Sequence, residues 1–512
     1  MSKKLILVLV AMIASLGVSA QNLKFEVKGL KDTTIFLANY MGSKLYYADT
    51  TESKNGIITF DGSKQPTGLY AVITPGMKYF EFILDNNEKE VHMTTTNSNN
   101  FIAEMEVKKS ENNKIFYDYI FFMTKYKQEG QKISEEYEKA DEKRKEEIKE
   151  EMKKMGDVIR EEQTRIWNEN KDKFVGKMVW LSSDMKLPEA PKDENGVIQD
   201  SNYVYNYYIA HYWDGIDFKD PSLVRSPVYH NKLDKYFSDK GLVQVPDSII
   251  KYARIMIDQM DWKDEDNKVF QYTVHHITSK YEKSKIMGMD KVFVYMGQNF
   301  YCDPNNYAYW MTEENTDKLC ERVDKLGGTI IGNPAPMVIL TDSTEKKWIN
   351  SHKIDAKYTV LYFWDPDCGH CKKTTPKLQT LYEKKFKDRD VEIYAIGKAT
   401  GEDFEKWKKF IRDNNLTFIN VGLTQSIYNI AMENPAELLK YTTIQSLNYT
   451  DTWDIYSTPR IFVMDENKIL RFKGLAIWQL EEIIDNLTGH KDDPKIFTEE
   501  NSGTPDHDDD TH

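Results

Sequence analysis

The sequence predicts a multidomain chain, with a small antiparallel β domain, a mostly α middle region and a C-terminal α/β domain. Three observations predict it. Period-two alternation marks residues 22–105, and a helix-period apolar seam runs through a Lys/Glu-rich stretch over 112–172. After residue 327, strand-like and helix-like runs alternate. The 512 residues suffice for several separate cores.

In the first region Leu23, Phe25 and Val27 alternate with Lys24, Glu26 and Lys28, the pattern of a half-buried strand. Asn55-Gly56 followed by Ile57-Ile58-Thr59-Phe60 is a hairpin signal. Residues 69–74 and 79–84 read as two more strands, split by Pro75-Gly76. A sandwich-like β domain over 21–110 follows, without a catalytic constellation.

Gly and Pro almost vanish over 112–172. Ile148, Met152, Met155, Ile159 and Ile166 recur at helical spacing, which predicts a helical hairpin packed on its neighbours. Methionines at this spacing are core positions, and the flanking charges are the solvated face. Residues 173–326 continue as shorter helices cut by Pro221, Pro227 and Pro246, giving a helical domain over 111–326. His211, His230, His275 and His276 lack a metal-ligand spacing and read as structural.

Gly327-Gly328 and the loop Gly332-Asn333-Pro334-Ala335-Pro336 open the last domain, 327–490. Strands are expected at 337–341, 358–364, 391–396, 461–465 and 469–473, with helices at 371–386, 402–414 and 478–487. Residues 491–512 are polar and acidic and read as a disordered tail.

Residues 1–20 read as a secretory signal peptide. Lys3 and Lys4 give the positive start, residues 5–16 the apolar stretch, and Val18-Ser19-Ala20 the cleavage site after Ala20. Residue 21 is Gln, so a lipid anchor on a cysteine there is not expected. The reading is an exported, periplasmic protein that does not span the membrane, in a compartment where disulfides persist. The net charge of −13 argues against a nucleic-acid partner. Four cysteines are too few for a disulfide-stapled scaffold.

The chemistry concentrates at Trp364-Asp365-Pro366-Asp367-Cys368-Gly369-His370-Cys371. An apolar strand that ends in C-x-x-C and turns into a helix is a dithiol/disulfide site. The helix start favours the thiolate of Cys368, which attacks a disulfide, and Cys371 resolves the mixed disulfide. The competing reading, half a zinc site, needs a second ligand pair. Cys302 and Cys320, eighteen apart, do not supply one, so no metal is expected. Those two cysteines either bridge or remain separate thiols.

The last domain resembles the thioredoxin superfamily, in its exported, TlpA/ResA-like branch. Phe363-Trp364 before Cys368-Gly369-His370-Cys371, Pro376 inside the first long helix, and Ser457-Thr458-Pro459-Arg460 before a strand carry the resemblance. The loop 332–336 looks like the entrance of the same branch, and together these cover about 160 residues. The resemblance implies a cis Thr458–Pro459 peptide facing the cysteines, with Gly369, His370, Trp364, Thr458 and Pro459 in supporting roles. The dipeptide Gly369-His370 is similar to that of protein disulfide isomerase. The layout of β domain, helical middle and thioredoxin-like end also resembles envelope proteins whose first two domains lack an assigned function. One departure stands out: thioredoxin carries a buried aspartate six residues before its first active cysteine, and here that position is Tyr362. Glu402 and Asp403 are candidates to replace that base.

The leading expectation is a periplasmic thiol–disulfide oxidoreductase that needs no cofactor. It exchanges disulfides with protein clients, and its electron partner is a membrane thiol carrier or another envelope dithiol protein. A peroxidase reading wants a hydroxyl three residues before the cysteine, and that position is Asp365. The non-enzymatic alternative is an envelope binding or assembly protein with a redox-sensing thioredoxin-like domain.

Overall fold

The computed structural model describes residues 21–304 and 308–502, so the expected signal peptide lies outside the described residues. Two compact units emerge. One holds residues up to Gln244 together with Ile255–Thr273, and the other holds Val245–Arg254 together with residues from Val274 onward. The helical stretch 111–326 is thus divided between them. Among the described residues, no helix is long and apolar enough to cross a membrane.

The first unit contains two four-stranded sheets. One runs Ile57–Asp61, Asn22–Lys28, Glu90–Thr96, Glu106–Lys109, and the other Lys44–Glu52, Thr34–Met41, Gly68–Thr74, Lys78–Leu84. The alternation of the first strand translates directly into burial: Leu23, Phe25 and Val27 are buried, and Lys24 and Glu26 are only partly covered. Gly68–Thr74 and Lys78–Leu84 pair antiparallel around Pro75-Gly76, as expected.

The Asn55-Gly56 signal needs correcting. The tight turn forms, with φ of 52° at Asn55 and 78° at Gly56. Lys54 and Ile57 exchange both backbone hydrogen bonds across it at 2.9 Å, but beyond that pair the arms part into different sheets, Ile57–Asp61 pairing with Asn22–Lys28. A two-residue turn records a reversal of direction; which edge is available decides the pairing.

Helices Glu111–Tyr137 and Glu142–Glu169 form the expected hairpin. Its seam is uneven: Ile148 and Ile166 are buried, whereas Met152 is 43% exposed. Ile166 joins the core beneath the sheets. The hairpin's capping is explicit, with Ser110 and Asp141 accepting the N–H groups of Asn113 and Arg144. His211 and His230 bond to Asp214 and to the Tyr272 hydroxyl.

The second unit is built on a seven-stranded mixed sheet. Its order is Trp348–Asn350, Ile339–Thr341, Ile419–Thr424, Val391–Ala399, Tyr358–Trp364, Arg460–Asp465, Leu470–Lys473. Tyr358–Trp364 lies near the centre, parallel to Val391–Ala399 and antiparallel to Arg460–Asp465. Both of its faces are covered, which explains its unbroken apolar run. Val360, Tyr362 and Trp364 join one core and Leu361 and Phe363 the other.

Residues 491–502, expected to belong to a disordered tail, are instead docked. The N–H groups of Ile496 and Phe497 donate to the buried Glu481 carboxylate at 2.7 and 2.8 Å. Asp493 accepts from Arg389 at 2.6 Å, and Ile496 and Phe497 pack on the core. A polar composition hid this segment because its anchors are a buried carboxylate and a guanidinium rather than apolar residues. The remainder of the tail lies outside the described residues.

Cys302 and Cys320 are joined by a disulfide, with Cα atoms 5.7 Å apart, which settles the alternative left open by the sequence. The bridge ties the end of helix Asp290–Phe300 to helix Glu313–Gly327.

Candidate active site

The strand Tyr358–Trp364 delivers the chain to the edge of the sheet, and a tight turn follows. The Asp365 carboxylate accepts the Asp367 N–H at 2.7 Å, and the Cys368 N–H donates to the Asp365 carbonyl at 3.2 Å. Helix Gly369–Leu381 then begins, with Cys368 at its N-cap in extended conformation. The Cys368 sulfur occupies the place that a serine or aspartate oxygen takes at other helix starts. It accepts the Cys371 N–H at 3.4 Å.

The two thiols are free and differ in environment. Partial burial works against a Cys368 thiolate, but the Cys371 and His370 N–H groups and Thr458 outweigh it and hold the thiol below its usual range. Cys371 is fully buried, and burial pushes its thiol up to about 12. Its sulfur accepts the Asp365 N–H at 3.5 Å. The arrangement offers one ready thiolate and one thiol held in reserve.

Opposite lies Ser457-Thr458-Pro459. The Thr458–Pro459 peptide is cis, the geometry implied by the resemblance, and the Cys368 thiol donates to the Thr458 carbonyl at 3.2 Å. Trp364 is buried against Phe410, with ring centroids 5.1 Å apart. His370 is exposed, and a side chain at Gly369 would meet nothing within 4 Å, so this glycine leaves the approach to the sulfurs open. Pro376 sits inside the helix, as the resemblance implied.

Tyr362 is fully buried beside the cysteines. Burial and then the neighbouring Cys371 hold its phenol well above the usual range, so it is a neutral hydroxyl. It bonds to Thr375 at 2.8 Å, and the Thr375 hydroxyl in turn donates to the Cys371 carbonyl at 2.8 Å. The candidate bases Glu402 and Asp403 are placed otherwise. Asp403 pairs with Lys398 at 3.1 Å and Lys406 at 3.5 Å, and Glu402 is exposed. Lys406 also holds Asp367 of the active-site turn at 2.5 Å. Thr375 and this ion-pair chain escaped the sequence reading. Thr375 lies one turn beyond Cys371 and carries no motif of its own, and Lys406 meets Asp367 only because the fold brings together residues 39 positions apart. Among the described residues, no group of three or more His, Cys, Asp or Glu is arranged to hold a metal ion.

Three stretches of the chain match known protein families. A model described as the AhpC/TSA family matches residues 331–473, and two described as domains of unknown function match 134–325 and 22–116. Thiol-disulfide oxidoreductase ResA of Bacillus thuringiensis subsp. konkukian is 29% identical over 161 residues, covering 31% of this chain and 79% of that protein. A ResA of Bacillus cereus is 34% identical over 88 residues, 17% of this chain and 49% of that protein. Among solved structures, a domain of a possible thiol-disulfide isomerase from Cytophaga hutchinsonii is 29% identical, covering 32% of this chain and 94% of that one, with a TM-score of 0.24. A thioredoxin-like protein from Bacteroides caccae is 16% identical over 59% of this chain and 97% of that one, with a TM-score of 0.39.

Residues 331–473 therefore form a thioredoxin-like domain. This domain is similar to the TlpA/ResA-like thiol–disulfide oxidoreductases, and the chain is an oxidoreductase.

Proposed function

We propose that the protein is a periplasmic thiol–disulfide oxidoreductase that exchanges disulfides with protein clients through Cys368-Gly369-His370-Cys371. The observation that carries this reading is the opposite displacement of the two thiols, Cys368 below its usual range and Cys371 up to about 12.

In the exchange, the Cys368 thiolate attacks one sulfur of a client disulfide. A Cys368–client disulfide forms, and the client's other sulfur leaves as thiolate. Cys371 then gives up its proton and attacks the Cys368 sulfur, releasing the second client thiolate. The client gains two electrons and Cys368–Cys371 becomes a disulfide. Run backwards, the same steps oxidise a client dithiol. Loss of the proton from Cys371 is the demanding step, because Tyr362 is not a base. Trp364 is the buried support of the turn, the His370 N–H sustains the thiolate, and Thr458-Pro459 is the wall along which the client lies. No step uses a metal or cofactor. The signal-like residues 1–20 support export. A membrane thiol carrier or another envelope dithiol protein restores the dithiol. Asp365 in place of a hydroxyl speaks for disulfide rather than peroxide as the oxidant.

The test uses the full chain with Cys371→Ala. Incubated with a disulfide-bonded client such as insulin, it should accumulate a reductant-sensitive mixed disulfide at Cys368, while the unaltered protein turns insulin over. A folded variant that traps nothing, together with an unaltered protein that does not reduce insulin, would favour the binding or assembly role instead.

A further inference from the structure

A cavity of about 410 Å³ opens beside the cysteine pair, between the ends of the central strands and the segment 447–458. Asp365, Lys398, Tyr428, Tyr449, Tyr456 and Thr458 are among its lining residues. It shares two walls with the proposed catalytic pair. The Thr458 carbonyl lies 3.2 Å from the Cys368 sulfur, and the Asp365 N–H lies 3.5 Å from that of Cys371. A group in this cavity is therefore a close neighbour of any sulfur engaged with Cys368.

The lining is chemically specific. Tyr449 stacks on Phe363 at 6.0 Å to form an aromatic wall, and Tyr428 and Tyr456 stand at the opening, 39% and 77% exposed. Solvent-exposed tyrosines at the rim of a cavity are a common recognition surface for another ring. Lys398 is within 3.4 Å of Asp365, so the one cation and one anion at the opening largely neutralise each other. They offer a carboxylate acceptor to a polar N–H or O–H and do not call for a charged ligand. The volume is at the low end for ligand sites, which run from about 300 to 1,000 Å³. It suits one large side chain.

We infer that this cavity is a specificity site that takes the ring of a tyrosine or tryptophan immediately before the client's reactive cysteine. The inference rests on the exchange reading above and adds the client's flanking residue to it. An extended chain advances about 3.3 Å per residue. A client held along Thr458 with its cysteine at Cys368 thus brings the neighbouring side chain to the opening. Its ring lies against the tyrosines and its polar hydrogen meets Asp365.

Two peptides test this, Ala-Trp-Cys-Ala-Ala and Ala-Ala-Cys-Ala-Ala, each carrying thionitrobenzoate in disulfide linkage to the cysteine. The Cys368 thiolate attacks the peptide sulfur, the mixed disulfide forms, and the coloured aryl thiolate leaves. The reduced full chain should release it from the tryptophan peptide about tenfold faster at low peptide concentration. Tyr456→Ala and Tyr428→Ala should each bring that ratio to about twofold or below, and Tyr456 is exposed enough that its truncation does not threaten folding. Equal rates for the two peptides, or a ratio that neither substitution lowers, overturn the specificity site and leave the exchange reading intact. No release from either peptide overturns both.

Discussion

Cys302 and Cys320 lie eighteen residues apart and are bonded to each other, whereas Cys368 and Cys371 lie three residues apart and both are free thiols. The first pair joins the end of helix Asp290–Phe300 to helix Glu313–Gly327. The apolar cluster around it contains three fully buried residues, Phe293, Val294 and Val323, with Cys302 at its margin. A covalent tie there closes a loop between two helices and so restricts the unfolded chain. The second pair sits against a large core and is not needed to hold it together. What it receives from that core is asymmetry: a helix start for one sulfur and burial for the other. The same residue type is a staple where two helices meet and a reagent where packing can set its acidity.

The most severe way to break this contrast is Cys368→Ser, which should lower disulfide exchange by more than about a thousandfold while leaving the thermal transition nearly in place. A comparable residual rate would move the nucleophile elsewhere. Removing the other pair, with Cys302→Ala and Cys320→Ala together, should do the reverse. Exchange persists, and stability falls by about 3 kcal/mol for a loop of this length, read from the urea midpoint. Loss of exchange with unchanged stability would make that pair part of the chemistry.

Acidity sharpens the comparison further. With Cys368 below its usual range and Cys371 near 12, limiting iodoacetamide at pH 8 should label Cys368 more than about tenfold faster, as peptide mapping would reveal. The sign is fixed by the thiolate: labelling of Cys368 should rise with pH and level off below the pH at which a free cysteine does. Equal labelling would remove the asymmetry on which the mechanism depends. The smallest effect is expected from Thr375→Val, which strips the buried Tyr362 hydroxyl of its partner. It should cost about 1–3 kcal/mol of stability. Little change in Cys368 labelling is expected, and a large change would make the hydroxyl pair part of the thiol chemistry.

Much of the second unit was legible from residues alone. The run 358–364 is apolar because both faces of its strand are covered, and the cysteines follow it at once. Strand Ile419–Thr424 and helix Gln425–Glu433 were not legible. The strand carries Asn420 and Gly422, poor strand formers, and Gly422 pairs with Gly397 of the neighbouring strand. A Cβ at Gly422 would fall 2.7 Å from that of Ala399 and 2.9 Å from the Gly397 carbonyl, so the glycine there makes room for the neighbouring strand. Its local signal was given up to that close approach between strands. The uneven hairpin seam has a related cause: helical spacing says which residues share a face, and only the extent of the opposing surface says whether water reaches them, as it does at Met152.

By itself the sequence determined what acts over short separations. It set the apolar strand that ends in C-x-x-C, the helix start behind Cys368, the helix proline at 376 and the Thr458-Pro459 step before a strand. These follow from side-chain periodicity, capping and the missing proline N–H, all of which operate within a few residues. Tertiary structure alone decided what depends on distant residues meeting. It brought Thr458 to Cys368 across ninety positions, bonded Cys302 to Cys320, committed Asp403 to Lys398 and Lys406, and buried Glu481 where it holds Ile496 and Phe497. The physical reason is that burial and electrostatic partnership are properties of an enclosed volume, and no stretch of this chain encloses one until the sheet has formed.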